Sequence, residues 1–206
     1  MKIYDISMKI HPKMAVYKNR DEKRPKFTIQ SDFNTGSSYE TRLDINLHTG
    51  THIDAPLHMI KEGEFLDSYP LERFITLCKV FDFRGLSKIS ANDLQKKKIE
   101  VGDFILLKTD NSESEEFDFN FTFLEESGAK YLRDLGISGV GIDALGIERN
   151  QADHITHKTL LGEGIIILEG LRLGKVSEGN YYLIALPLKI EGVEAGPTRA
   201  VLIDEI

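Results

Sequence analysis

A chain of 206 residues with 41% hydrophobic and 29% charged content fits one globular domain, residues 1–206, with a sizeable core. The formal net charge of -7 argues against nucleic acid, whose phosphates require a basic face, and leaves small molecules as the expected partners. A single cysteine, Cys78, excludes an intrachain disulfide and Cys-based zinc clusters, and reads as a buried apolar residue.

Strand-like runs, β-branched or aromatic and bounded by Gly, Asp or Pro, recur along the chain. They cover Ile3 to Ser7, Phe27 to Gln30, Thr41 to His48, Lys79 to Phe83 and Phe104 to Thr109. Four more follow at Gly139 to Ile142, Ile165 to Glu169, Tyr181 to Leu186 and Ala200 to Ile203. Helical signals are fewer. Ser90-Ala91-Asn92-Asp93 opens a short polar helix, and Thr122-Phe123-Leu124-Glu125 has the form of a capping box for a helix running through Leu135 to a Gly136 stop. The pattern is α/β with a surplus of strands. Arg20 to Lys26 and Asn111 to Glu116 read as solvated loops. Gly136, Gly139 and Gly141 mark tight turns around a strand and form no dinucleotide fingerprint. No stretch approaches a membrane span, and Met1 to Asp5 carries no apolar run followed by a cleavage site, so the cytoplasm is the expected compartment.

The densest chemistry lies in His48-Thr49-Gly50-Thr51-His52-Ile53-Asp54-Ala55-Pro56-Leu57-His58, with three imidazoles and a carboxylate in one short segment. Two neutral imidazoles and a carboxylate suit a borderline divalent ion such as Zn²⁺, and the remaining His can move protons beside it. A helix does not unite these groups, because Asp54 points about 240° around the axis from His48. Gly50, three β-branched residues and Pro56 also oppose a helix, so a strand or strand-to-loop segment fits better. Fully extended, His48 and His52 lie about 13 Å apart, too far for easy joint ligation, and a bend near Gly50 is expected. Further along, His157 opens a short helical stretch, Gly162 and Gly164 follow, and the buried apolar run Ile165 to Leu168 ends in the carboxylate of Glu169. His154 reads as a surface residue, with contact to substrate or to a ligand as the alternative.

The His48 to His58 segment resembles, at every signature position, the His-x-Gly-Thr-His-x-Asp-x-Pro-x-His motif of the cyclase family of metal-dependent hydrolases, which includes bacterial kynurenine formamidase and isatin hydrolase. Further likenesses lie at Ile3 to Ser7, Gly102 to Thr109, Gly139 to Asp143 and Gly196 to Ala200, so the resemblance spans nearly the whole chain. It implies an α/β domain built on a mixed β-barrel-like sheet flanked by helices. It also implies that His48, His52 and Asp54 hold one ion, that His157 and Glu169 complete a second site with Asp54 bridging, and that His58 transfers protons, with Glu169 as the alternative base. Zn²⁺ is the expected ion, one or two per subunit, with Mn²⁺ as the alternative and a homodimer as the expected assembly. The loop Tyr17-Lys18-Asn19-Arg20-Asp21 departs from the formamidase pattern, where an aromatic and glycine-containing loop shapes the pocket. The expected reaction is hydrolysis of an aryl formamide such as N-formylkynurenine. Hydrolysis of a cyclic amide or lactone stands as the alternative, followed by a metal-stabilised binding protein without turnover.

Overall fold

The computed structural model describes residues 1–114 and 116–204. Seven strands close into a ring: β12 (Ala195–Asp204), β11 (Gly179–Pro187), β5 (Ile75–Asp82), β7 (Phe104–Lys108), β9 (Gly139–Ile142), β10 (Ile166–Glu169) and β4 (His52–Asp54), which returns to β12. The barrel is mixed. The joins β5 to β7, β7 to β9 and β9 to β10 are parallel, and the rest are antiparallel. β1 (Lys2–Asp5) extends the sheet along the free half of β12. The expected mixed barrel flanked by helices is therefore what the chain forms.

Strand parity separates two apolar layers. Ile53, Cys78, Val80, Phe104, Leu106, Ile166, Leu168, Leu183 and Leu202 point into the barrel and fill it. Their neighbours Phe81, Ile105, Leu107, Val140, Ile142 and Ile167 point outward and pack under α1 (Ala91–Leu94), α2 (Glu126–Leu135) and α3 (Ile155–Leu161). β7 is buried on both faces, which is why Phe-Ile-Leu-Leu reads as an unbroken apolar run. On the parallel strand β9, a Cβ on Gly139 would meet the Phe104 ring at 2.3 Å, so the glycine makes room for that ring.

Helix ends follow local chemistry where nothing competes with it. Gly136 stops α2 in the left-handed region, φ 77°, and its N–H donates to the carbonyls of Leu132 and Arg133. At α1, the Asp93 carboxylate accepts from the N–H and hydroxyl of Ser90, as the polar start suggested. The α2 start is a correction. Thr122 caps no helix; Phe123–Leu124 form β8 beside β6 (Lys88–Ile89), and the helix begins at Glu126. Phe123 and Leu124 gain more by burial in the outer core, and Thr122 donates its hydroxyl to the Leu86 carbonyl.

Two further differences concern loops. The run Thr41 to His48 is strand only as part of β3 (Glu40–Asp44), which pairs with β2 (Lys26–Ser31) in a separate exposed hairpin. Asn111 and Ser112 are not solvated: Asn111 bonds the Thr122 backbone, and the Ser112 hydroxyl donates to buried Asp143 at 2.6 Å. Glu115, in the same charged run, lies outside the described residues. Cys78 is buried as expected, with its thiol pushed up to about 12. Among the described residues no helix is long and apolar enough to cross a membrane.

One close approach positions the loop from His48 to Thr51. Gly50 (φ 73°) and Gly170 (φ 68°) bring their backbones together, and a Cβ on Gly170 would lie 2.3 Å from the Gly50 carbonyl oxygen. Beside them the Thr51 hydroxyl donates to the Gly170 carbonyl at 2.6 Å. Gly170→Ala combines left-handed strain with this clash and should cost on the order of 2–4 kcal/mol. Urea unfolding checks it, and a loss under about 0.5 kcal/mol would show that the approach is not constrained.

Candidate metal centre

β4 and β10 build the floor of the site by register. Antiparallel pairing sets Glu169 opposite His52 and Ile167 opposite Asp54, while Ile53 and Leu168 turn into the barrel. His52, Asp54 and Glu169 therefore share the outer face. The bend expected near Gly50 is present: the chain turns through His48 to Thr51 and enters β4 only at His52. As a result the His48 and His52 rings stand 5.0 Å apart, centroid to centroid. α3 then lowers His157 onto the same face, and a short turn at Pro56–His58 swings His58 in beside His48, with ring centroids 4.0 Å apart.

All six residues singled out in the sequence converge. His48 Nδ1 lies 3.0 Å and His52 Nε2 3.3 Å from Asp54 Oδ1, and His157 Nε2 lies 3.7 Å from Asp54 Oδ2. Glu169 reaches His157 Nε2 at 3.2 Å with one oxygen and His52 Nε2 at 3.5 Å with the other. Donor atoms of His52, Asp54 and Glu169 lie within 4.8 Å of one another, as do those of His48, Asp54 and His58. The same geometry fits His58 as a ligand, so distance alone does not set it apart.

Two residues escaped the sequence reading. Glu148, in the turn after β9, places one oxygen 3.1 Å from His157 Nδ1 and 2.6 Å from His154 Nδ1. Its other oxygen accepts from the Thr156 N–H at 3.0 Å. His154 is exposed, as expected, yet it is tied to the centre through this carboxylate. Glu194 approaches His48 Nε2 at 3.4 Å from the start of β12. Neither acid sits in a spacing that separates it from the chain's many surface carboxylates.

The donor set fits a divalent cation. Asp54 is fully buried, and both its oxygens and His52 Nε2 lack a properly directed hydrogen bond although imidazole nitrogens surround them. Orphaned buried charge is costly unless a proton or a cation compensates it. The remaining atoms are oriented from outside. His52 Nδ1 meets the Gly50 carbonyl at 2.9 Å, which assigns a proton to Nδ1 and turns Nε2 toward Asp54 and Glu169. Glu169 Oε1 accepts from the Ile147 N–H at 2.6 Å.

Protonation follows the charges. Burial disfavours the His52 cation, but Asp54 and Glu169 outweigh it and raise the pKa to about 9. His157 likewise rises to about 10 against burial, through Glu148 and Glu169. Asp54 is held well below the carboxylate range by His52 and His48 despite its burial. Burial pushes His58 down to about 4, and among the described residues no carboxylate is hydrogen-bonded to it.

Above the centre opens a cavity of about 320 Å³, with His48, His58, His157 and Glu169 at its floor. Residues 4–149 match the family model described as a putative cyclase. Kynurenine formamidase of Salinibacter ruber is 35% identical over 99% of this chain and 98% of its own length. A solved structure described as a potential metal-dependent hydrolase with cyclase activity superposes with a TM-score of 0.93 at 47% identity, covering 100% of this chain and 98% of that one. Isatin hydrolase A from Labrenzia aggregata shares the fold at 23% identity and TM-score 0.86, covering 98% and 93% of the two chains. The chain belongs to the cyclase family.

Because His52 and His157 keep protons at neutral pH in the ion-free protein, binding an ion at their nitrogens must release them. The sign is fixed: both pKa values are raised, so the protonated, ion-free form is favoured below about 9 to 10, and affinity should rise with pH through neutrality. Titration calorimetry in buffers of different ionisation enthalpy should read about two protons released near pH 7 when both imidazoles bind an ion. Affinity independent of pH between 6 and 8 would count against these two residues as ligands.

Proposed function

We propose that this chain is a divalent-metal-dependent amidohydrolase that cleaves an aryl formamide such as N-formylkynurenine to formate and the free amine. The observation that carries the reading is the convergence of His48, His52, His157 and Glu169 around the buried Asp54 carboxylate, beneath a cavity that His48, His58, His157 and Glu169 line. The formamidase activity named for the Salinibacter relative supplies the substrate class. In this reading His48, His52 and Asp54 hold one ion, and His157 and Glu169 hold a second with Asp54 shared. An imidazole-rich set favours Zn²⁺ over Mn²⁺. Bound there, the metal supplies Lewis acidity toward the carbonyl and lowers the pKa of water to about 7.

The protein residues carry the proton. His58 is neutral at pH 7, so it enters turnover as a base, takes a proton from the attacking water and returns it to the leaving nitrogen. The balance is simple: water adds across the C–N bond, the formyl carbon leaves as formate, and the amine keeps the returned proton. A free imidazole beside the cluster also separates this reading from a purely structural site, which closes its ligand shell. Glu169 is better suited to ligation than to base catalysis, since one of its oxygens already accepts from Ile147. A homodimer is part of the same proposal, supported by the exposed apolar side chains Phe27, Ile29 and Leu43 on the β2–β3 hairpin. A single-chain mass by sedimentation would remove it.

Two variants separate ligand from catalyst. His52→Ala should lose metal and activity together, whereas His58→Ala should keep its metal and lose turnover by about 10²- to 10⁴-fold. Elemental analysis of both proteins decides; metal loss in His58→Ala would make His58 a ligand. For the reaction itself, formate release from N-formylkynurenine should vanish on chelation and return with added Zn²⁺ or Mn²⁺. Turnover of a cyclic amide or lactone without formamidase activity would overturn the substrate assignment.

A further inference from the structure

The acidic floor of the cavity is overhung by a segment of opposite sign, in which Tyr17, Lys18, Arg20 and Lys23 line the opening. This segment is fastened in place. The Thr49 hydroxyl, from the metal-binding loop, donates to the Lys23 carbonyl at 2.8 Å, and the Arg24 guanidinium donates to the Met14 carbonyl at 2.6 Å. Backbone N–H groups of Asn19 and Lys23 close turns onto Val16 and Arg20, each at 2.9 Å. Lys18 and Asn19 are held in the left-handed region, φ 57° and 53°, which non-glycine residues adopt at a cost that clusters at functional sites. The Tyr17 ring packs edge-on against Phe117 at 5.3 Å and carries the Lys18 and Lys23 ammonium groups at 5.3 and 5.6 Å.

These cations have not been neutralised locally. Among the described residues no carboxylate lies within ion-pair distance of Lys18, Arg20 or Lys23, although Lys79, Lys97 and Arg199 elsewhere on the surface have one. A chain of net charge -7 repels anions at long range, so capture of an anionic ligand depends on a local positive rim such as this. The cavity is at the small end of ligand sites, of a size for one aromatic ring with a short side chain.

We propose that Lys18, Arg20 and Lys23 form an anion subsite, and that the substrate carries a carboxylate which this rim binds while its scissile carbonyl rests on the floor. The inference rests on the amidohydrolase reading and assigns the residues that would anchor the carboxylate which N-formylkynurenine carries.

The test uses the metal-loaded, full-length protein and a matched pair, 4-(2-formamidophenyl)-4-oxobutanoate and its primary amide, with formate release giving KM and kcat. Titration calorimetry with 4-oxo-4-phenylbutanoate and its amide, which lack the formamide, reads binding separately. The acid should show KM and Kd lower by about tenfold, the scale of a charge-assisted contact, and the advantage should shrink with added salt. The triple variant Lys18→Gln, Arg20→Gln, Lys23→Gln should bring the acid-to-amide ratio near one, while Arg20→Lys should retain most of it. A wild-type ratio within about twofold, or one that the triple variant leaves unchanged, overturns the subsite and leaves the cations as counter-charges to the floor. If neither formamide is cleaved the formamidase reading fails, and the calorimetric ratio still decides the rim.

Discussion

Buried negative charge is the constraint around which this molecule is organised. Asp54, Glu169 and Glu148 are taken out of water within reach of His52 and His157, and the oxygens of Asp54 have no properly directed donor. Removing carboxylates from water is expensive unless a positive charge compensates them. Protons on the His52 and His157 imidazoles supply that charge, and a divalent cation at the same nitrogens would supply it equally. The surroundings leave little freedom for any third arrangement. The Gly50 carbonyl, the Ile147 amide and the Glu148 carboxylate each fix one atom of a different side chain, His52, Glu169 and His157 in turn.

The barrel makes this arrangement affordable in structural terms by dividing labour between its faces. Its interior is purely apolar along β4 and β10, through Ile53, Ile166 and Leu168, and needs nothing from the site to remain closed. The outer face of the same two strands carries the ionisable groups, and α3 covers them. Charge is thus concentrated in a layer that helix packing can seal, while the closed ring of strands leaves no edge that would let the register of His52 against Glu169 slip.

His58 and the cationic rim stand apart from that compensated cluster. Burial drives the His58 imidazole toward neutrality, and the neighbouring His48 and His157 add to the effect. The rim of Lys18, Arg20 and Lys23 presents positive charge across the opening, so the cavity runs from a cationic mouth to a floor of imidazoles and the Glu169 carboxylate. A field of that form orients a polar substrate before any reaction begins.

Much of this was legible in the linear chain, for reasons that are local. The His48 to His58 signature carries three imidazoles and a carboxylate in one segment, Gly50 announces the bend that brings them together, and apolar runs such as Phe104 to Leu107 report burial on both faces. The Gly136 stop and the Ser90 start are chemistry between near neighbours, and both appear where expected. What only the tertiary structure decided depends on groups distant in sequence. The pairing of β4 with β10 places Glu169 opposite His52, and the outer core overrides the Thr122 capping signal to make β8. Glu148 becomes a partner of His157 only because the turn after β9 is laid against α3. A carboxylate on a loop has the same local chemistry whether it faces solvent or a buried imidazole, and the difference is made by what the fold packs against it.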